Sequence, residues 1–205
     1  MPSRSKRIFF GDFVFVVNEN VYEPAEDSFL FAENLNVETG ASVLDVGTGC
    51  GLLGILAANQ GASVLAVDLN PHALRYAKRN AELNHTRSNM AFLQSDLFSS
   101  LRQNAKFDVV LFNAPYLPTE KTESTCWIEH AWAGGETGRH VIKRFISNVT
   151  RHLKRSGYVL LMQSTLVSVD ETITEFEKQN MHTYIIAEVS MPFFETITLL
   201  KAALS

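Results

Sequence analysis

The sequence predicts an α/β fold: a doubly wound, mostly parallel seven-stranded sheet with an antiparallel hairpin at one edge. From Ala41 onward, short apolar runs alternate with helical stretches, which is typical of strands joined by crossover helices. The apolar runs are nearly continuous, and this indicates parallel strands covered on both faces. The last two strands follow each other without a helix between them, so we expect them to form the hairpin.

The elements follow in a regular order. The predicted strands are "ASVLDVG", "ASVLAVDLN", "MAFLQSD", "FDVVLFN", "YVLLMQ", "HTYIIAEVS" and "ETITLLKAAL". The predicted helices are "GLLGILAANQG", "PHALRYAKRNAELNH", "GRHVIKRFISNVTRHLKRSG" and a segment around "SVDETITEFEKQN". Pro71 favours a helix start, because the first turn does not use its missing N–H. Further upstream, "EDSFLFAENL" combines acids in a first turn with an apolar helical face.

The 205 residues show no internal repeat, low-complexity linker or second composition regime. We therefore expect one domain over residues 1–205, with residues 1–40 as an N-terminal extension. With 46% hydrophobic residues, the chain can bury a substantial core. Its two cysteines, Cys50 and Cys126, lack C-x-x-C spacing, which favours a reduced cytoplasm over a disulfide framework.

Charge and composition weigh against several classes of function. The net charge of -4 argues against broad adhesion to nucleic acid, and the basic "SRSKR" is a short terminal tail. No apolar run reaches the length of a membrane span, and no secretory signal is recognisable. The six histidines are scattered, so the sequence predicts no metal site.

A glycine-rich loop follows the first of these strands. Gly47, Gly49 and Gly51 lie between a strand and a helix, where glycine lets the backbone turn tightly and approach a ligand closely. Gly49-x-Gly51-x-x-Gly54 also matches the dinucleotide fingerprint. Asp68, at the end of the second strand, is placed to accept hydrogen bonds from the ribose hydroxyls of a ligand. NAD and S-adenosylmethionine both satisfy these features.

Two further acids separate those ligands. Asp45 directly precedes the glycine loop, where a carboxylate repels a pyrophosphate but attracts the cationic amino-acid part of S-adenosylmethionine. Asp96, after the third strand, is placed to meet an adenine amino group. Acids often cap helices, which explains any one of Asp45, Asp68 and Asp96. Together they favour S-adenosylmethionine as cofactor, with S-adenosyl-L-homocysteine as product.

Several blocks of the chain point to one family. They are "LDVGTGCG", Asp68, "SDLF", "FNAPY", "VYEPAEDSFLF" at residues 21–31 and "IEHAWAGGETGRHVIKRFI" at residues 128–146. These blocks resemble the HemK/PrmC-type class I methyltransferases, which methylate glutamine side-chain amides in translation release factors. The last two blocks are similar to the short eukaryotic and archaeal branch. The resemblance implies a Rossmann-like enzyme that N5-methylates the glutamine of a Gly-Gly-Gln loop.

By the resemblance, the catalytic motif is formed by Asn113, Ala114, Pro115 and Tyr116. The Asn113 side-chain oxygen, which also borders the cofactor, and the Ala114 carbonyl can accept the two N–H groups of a planar amide. Tyr116 can pack its ring on that amide. The family has proline where this chain has Ala114, so a rigidity worth about 0.4–1 kcal/mol is lost while the carbonyl is kept.

The N-terminal extension is expected to pack over the cofactor site. By the resemblance, the pocket is also lined by Tyr22, Pro24, Glu26, Ser28, Asp96 and Leu97. Trp132 precedes Gly134 and Gly135 in "AWAGGETGRH", which is either a substrate-binding loop or a tight turn before a helix that begins near Gly138. Relatives of this branch work with a small zinc-binding activator protein, so the resemblance implies such a partner beside the release factor.

The residues leave other interpretations open. An N6-adenine nucleic-acid methyltransferase uses the same motif, but the acidic charge and the lack of a long target-recognition segment oppose it; a lysine acceptor is also left open. Asp45 and "NAPY" oppose an NAD-dependent oxidoreductase. Retention of Asn113 and Tyr116 opposes a non-catalytic binding module.

Overall fold

The computed structural model describes residues 5–117, 127, 134–192 and 195–204. An N-terminal hairpin precedes a seven-stranded sheet. The hairpin strands are Lys6–Phe10 (β1) and Phe13–Val17 (β2). The sheet strands are Ser42–Val46 (β3), Ser63–Asp68 (β4), Met90–Gln94 (β5), Phe107–Asn113 (β6), Leu153–Ser164 (β7), Met181–Ser190 (β8) and Thr196–Leu204 (β9).

The strand order of the sheet is β5-β4-β3-β6-β7-β9-β8. Strands β3 to β7 pair in parallel, whereas β9 runs antiparallel to both β7 and β8. The predicted doubly wound sheet and its antiparallel edge are therefore confirmed. The chain builds outward from β3 to β5 and then returns to place β6 on the other side of β3, which makes the β3/β6 boundary the topological switch point.

Five α-helices cover the two faces of the sheet in the described part of the chain. They are Glu26–Glu33 (α1), Leu52–Asn59 (α2), Pro71–Leu83 (α3), His140–Val149 (α4) and Val169–Glu177 (α5). Phe31 and Ile55 belong to the core cluster under α1, α2 and α3. Phe145 and Phe176 belong to the cluster under α4 and α5. Because both faces of the parallel strands are buried, their sequences read as continuous apolar runs.

The β1–β2 hairpin was not part of the prediction. Its signal is two short runs of β-branched and aromatic residues, "RIFF" and "FVFVV", on either side of Gly11 and Asp12. These two residues form a two-residue turn, in which Gly11 has a φ of +53°. The hairpin docks on α3 through amide side chains that imitate a neighbouring strand. Asn80 bonds both the N–H and the carbonyl of Val16, and Asn84 does the same for Val14.

The predicted long helix "GRHVIKRFISNVTRHLKRSG" is wrong in its second half. Helix α4 ends at Val149, a 3₁₀ turn covers Thr150–His152, and β7 begins at Leu153. Leu153 continues the apolar spacing of the helix, which explains the error, but it is buried opposite Phe107 of β6. Pairing with a strand distant in sequence therefore decides where this helix ends.

No helix in the described ranges is long and apolar enough to cross a membrane.

Candidate active site

A cavity of about 370 Å³ opens at the carboxyl ends of the parallel strands, beside the switch point. It is in the size range of small-molecule sites. Thirteen of the predicted site residues line it: Tyr22, Pro24, Ser28, Asp45, Gly47, Gly49, Asp68, Asp96, Leu97, Asn113, Ala114, Pro115 and Tyr116. The predicted contacts Glu26 and Gly51 do not: Glu26 is exposed at the start of α1, and a Cβ on Gly51 would meet Ala77 of α3 at 3.1 Å.

The glycine loop brings backbone close to the cavity. Gly47 and Gly49 have φ values of +64° and +57°, which favour glycine. A Cβ on Gly47 would contact the Phe112 ring at 3.6 Å. The N–H of Gly49 donates to Oδ2 of Asp68 at 2.9 Å, and the N–H of Asn70 donates to its Oδ1 at 2.8 Å. The loop therefore fixes the Asp68 carboxyl group in the lining of the cavity.

Asp45 is buried below the glycine loop. Its Oδ2 accepts hydrogen bonds from the Thr48 hydroxyl at 2.6 Å and from the N–H of Gly54 at 3.0 Å. A Cβ on Gly54 would approach this oxygen to 2.8 Å, so the contact requires glycine there. Burial raises the pKa of Asp45 to about 7, and it also raises the pKa of Asp68. Both groups are therefore placed where a cation would favour their charged form.

The segment after β5 forms another wall. Oδ2 of Asp96 accepts a hydrogen bond from the Arg144 guanidinium of α4 at 2.7 Å. Leu97 has a φ of +49°, an unfavourable conformation for a side chain of its size. The Ser95 hydroxyl donates to the Leu97 carbonyl at 2.8 Å and holds this turn.

The Asn113 side chain has one end bound and one end free. Its Nδ2 donates to Oδ2 of Asp27 at 3.0 Å and to the Ser28 hydroxyl at 3.3 Å. Its Oδ1 is buried and has no hydrogen-bond partner. Buried polar atoms are rarely left unpaired, and exceptions often mark functional sites. The end of β6 thus brings into the cavity lining a residue whose buried side-chain oxygen is an unsatisfied acceptor.

Two tyrosines stand beside Asn113. The Tyr22 hydroxyl donates to Oδ1 of Asp27 at 3.1 Å. Burial, followed by the charge of Asp27, raises the pKa of both Tyr22 and Tyr116 above the ordinary value, so both rings stay neutral near pH 7. Ala114 is buried, and its N–H donates to the Met162 carbonyl of β7 at 3.2 Å. This bond anchors the loop that carries Tyr116.

Sequence reasoning missed several residues that line the cavity: Asp27, Thr48, Asn70, Arg144 and Trp127. Asp27 lies in the segment "EDSFLF", for which the sequence predicts only that Asp27 is one of the acids in the first turn of a helix. Asn70 caps α3 by accepting the N–H of His72, and its Nδ2 donates to the Asn20 carbonyl. An Asn-Pro helix start is the signal for that cap, whereas no local pattern marks Asp27.

The block "IEHAWAGGETGRHVIKRFI" lies partly outside the described residues. Residues 128–133, which include Trp132, are not described, and neither is Cys126. Gly134 and Gly135 are described. The N–H of Gly134 donates to the Leu117 carbonyl at 2.9 Å, and the N–H of His140 donates to the Gly134 carbonyl at 2.9 Å. This is a tight turn before α4, which begins at His140, two residues after Gly138.

Comparison with known proteins agrees with this geometry. The chain matches the family model of the methyltransferase small domain over residues 23–185. It is 40% identical over 185 residues to a Methanocaldococcus jannaschii protein N5-glutamine methyltransferase, covering 89% of this chain and 92% of that protein. It is 34% identical over 154 residues to the Homo sapiens methyltransferase HEMK2, covering 70% of this chain and 71% of that one.

A solved structure shows the same architecture. It is a chain of the E. cuniculi Mtq2–Trm112 complex, which is responsible for the methylation of the eRF1 translation termination factor. The TM-score is 0.70 at 26% sequence identity, with 91% of this chain and 99% of that chain covered.

The sheet order and the cavity at its switch point define a class I methyltransferase fold. The chain belongs to the methyltransferase small domain family and, within it, to the HemK/PrmC-type protein N5-glutamine methyltransferases. The predicted family, fold and enzyme class, an S-adenosylmethionine-dependent methyltransferase, are thereby confirmed.

Proposed function

We propose that this enzyme N5-methylates the glutamine of a Gly-Gly-Gln loop in a translation release factor. The observation that carries the proposal is the unpaired, buried Oδ1 of Asn113, whose amide nitrogen is bound from behind by Asp27 and Ser28. An acceptor at this point suits a substrate group that presents N–H. The Methanocaldococcus jannaschii relative is named a protein N5-glutamine methyltransferase, and other relatives are named release factor glutamine methyltransferases.

The residues present fit S-adenosylmethionine. Gly47 and Gly49 leave the backbone open toward the cavity. Asp45 suits the ammonium group, Asp68 the ribose hydroxyls and Asp96 the adenine end, with Arg144 holding the Asp96 carboxylate in place. When bound, this cofactor supplies a methyl group on an electrophilic sulfonium. Four more of the predicted cofactor contacts also line the cavity: Tyr22, Pro24 and Ser28 from the N-terminal segment, and Leu97 from the turn after β5.

The substrate amide requires accurate placement, because its nitrogen lone pair is delocalised and the nitrogen is a weak nucleophile. Asn113 Oδ1 and the Ala114 carbonyl accept its two N–H groups and fix the orientation of its plane. Tyr116, neutral near pH 7, packs its ring against that plane while Pro115 restricts the loop. Catalysis then rests on positioning and fixed dipoles, with no strong base among these residues.

The finer assignments of partner, location and domain belong to the same proposal. We infer a small activator protein as partner, which the Mtq2–Trm112 complex of the similar structure supports. That this activator binds zinc is what the family resemblance implies. A cytoplasmic location suits a substrate of the translation machinery. Residues 1–205 act as one methyltransferase domain, with residues 1–40 as an extension over the cofactor site, to which Tyr22, Pro24, Asp27 and Ser28 contribute.

The test is transfer of a labelled methyl group from S-adenosylmethionine into a release factor that carries Gly-Gly-Gln, with and without a candidate activator. Asn113→Ala is expected to reduce the rate by about 10²–10³-fold, as loss of one preorganised polar group does in other enzymes. Asn104→Ala is the matched control, because Asn104 is exposed in the loop before β6. Its rate should equal that of the parent enzyme.

A nucleic-acid acceptor runs in parallel. Label on the glutamine that disappears with Asn113→Ala supports the proposal. Label that enters only nucleic acid would instead favour an N6-adenine nucleic-acid methyltransferase. Label on a protein lysine would favour a protein lysine methyltransferase.

A further inference from the structure

Asp27 is a buried carboxylate that borders the cavity, and beyond its hydrogen bond to Asn113 it has no assigned role. It is 5% exposed. Its Oδ1 accepts hydrogen bonds from the Tyr22 hydroxyl at 3.1 Å, from the N–H of Ser28 at 2.6 Å and from the Ser28 hydroxyl at 3.0 Å. Its Oδ2 accepts one from Nδ2 of Asn113 at 3.0 Å.

The two ends of the Asn113 amide have nearly the same shape but opposite hydrogen-bonding roles. If the amide turned over, its oxygen would face the Asp27 carboxylate at hydrogen-bond distance, and two acceptors would oppose each other. The Ser28 hydroxyl gives its proton to Asp27, so toward Asn113 it can only accept. Both groups behind Asn113 therefore require its NH₂ end.

This arrangement determines which substrate side chain can form a hydrogen bond with Asn113. With its NH₂ end held by Asp27 and Ser28, Asn113 can direct only Oδ1 to a substrate. A glutamine side chain offers N–H groups to that oxygen, whereas the carboxylate of a glutamate would oppose it. Because the site is buried, such an unpaired contact is costly.

We propose that Asp27 is a positioning residue that fixes the Asn113 amide and so makes the enzyme select glutamine over glutamate in the acceptor loop. The proposal rests on the proposed function for its substrate. Asp27 does not touch the reacting atoms; it acts through Asn113.

The first experiment compares Asp27→Asn with the parent enzyme. In this variant the new amide can donate to the Asn113 oxygen, which lets the Asn113 NH₂ turn toward the substrate. We expect kcat on a Gly-Gly-Gln release factor to fall about 100-fold, with KM changing less. A release factor with glutamate in place of that glutamine should become a competitor at least about 5-fold stronger than it is against the parent enzyme.

The control variant is Glu33→Gln, which removes one acidic group from the exposed end of the same helix. It should leave kcat, KM and the weak competition by the glutamate protein as they are in the parent enzyme. S-adenosylhomocysteine binding by both variants checks that they are folded. A purely structural role for Asp27 would lower activity without changing the preference between glutamine and glutamate, and that outcome overturns the proposal.

The second experiment needs no substrate. The side-chain ¹⁵N–H₂ signals of Asn113 can be identified by their loss in Asn113→Ala. We expect them to exchange slowly with solvent in the parent enzyme and in Glu33→Gln, and at least about 10-fold faster in Asp27→Ala. Rapid exchange in the parent enzyme would overturn the positioning role. If no release factor is methylated in any arm, the proposed function fails, and this measurement still decides how Asn113 is held.

Discussion

Asp45 illustrates how one side chain links ligand chemistry to stability. It is 1% exposed and holds the glycine loop through Thr48 and Gly54. Burial raises its pKa from 3.8 to about 7, because the charged form loses its hydration. The folded chain therefore keeps this proton over a pH range in which the unfolded chain has already released it.

From this follows a pH dependence with a defined sign. Between about pH 4 and pH 7 the unfolded state binds fewer protons at Asp45 than the folded state, so the free energy of unfolding falls as the pH rises. Asp45→Asn keeps an acceptor oxygen for Thr48 and Gly54 but removes this titration. Its stability relative to the parent enzyme should improve over this range, by at most roughly 4 kcal/mol, and level off above pH 7.

Urea unfolding of both proteins at several pH values measures this difference. A constant difference between pH 4 and pH 8 would contradict the prediction. Asp68 also has a raised pKa and is present in both proteins, so its own titration appears in both curves.

At the scale of elements, α3 performs two tasks with the same face, because Ala77, Asn80 and Ala81 are three and four residues apart and all three are buried. Its apolar residues Ala77 and Ala81 pack on the sheet, while Asn80 and Asn84 bind the main chain of β2. Asn80 is fully buried and also donates to the Cys50 carbonyl of the glycine loop. The side-chain amide of Asn80 thus binds both the N-terminal hairpin and the glycine loop to α3.

Replacing Asn80 should destabilise the protein strongly. Asn80→Ala leaves the N–H and carbonyl of Val16 and the carbonyl of Cys50 without partners, at about 1–3 kcal/mol each. The gain in helix propensity from alanine is below about 0.7 kcal/mol. We expect a net loss of about 3–5 kcal/mol in the free energy of unfolding, and a smaller loss of about 1–2 kcal/mol for Asn84→Ala, whose partner Val14 is only half-buried.

Arg79→Ala provides the comparison, since Arg79 is the exposed neighbour on the same helix. It should change stability by less than about 0.5 kcal/mol. Equal losses for Asn80→Ala and Arg79→Ala in chemical unfolding would show that the hairpin is not held by the amide.

At the scale of the whole molecule, the cavity joins segments distant in sequence. Its lining comes from the N-terminal segment at residues 22–28, from the carboxyl ends of β3, β4 and β6, and from Arg144 of α4. A ligand bound there contacts both halves of the sheet. It should therefore stabilise the entire fold, because ligand bound only by the folded state lowers its free energy.

S-adenosylhomocysteine at about 100 times its Kd should stabilise the chain by about 2.7 kcal/mol. For a chain of this size that corresponds to an increase in Tm of about 5–10 °C. NAD at the same concentration should leave Tm unchanged, because Asp45 opposes a pyrophosphate at the glycine loop. Differential scanning fluorimetry measures the change in Tm with each ligand. A larger increase in Tm with NAD than with S-adenosylhomocysteine would favour an NAD-binding protein instead.

Local patterns were enough for most of the sheet. Strands β3 to β7 contain apolar runs that are separated by helices and by turn-forming residues, so their positions could be predicted within a few residues. The end of α4 could not, because Leu153 fits a helix equally well and only its pairing with Phe107 places it in β7. The β1–β2 hairpin is marked only by the Gly11-Asp12 turn between two short apolar runs.

The sequence by itself determined the fold class, the glycine loop, the acids that end the strands and the family, because these depend on residues close together in the chain. Only the tertiary structure decided that Asp27 meets Asn113 across 86 positions and that Asn80 meets Val16 across 64. It also placed Glu26 and Gly51 outside the cavity lining. Such contacts depend on how helices dock on the sheet, and docking is set by the packing of the whole core, which no local pattern records.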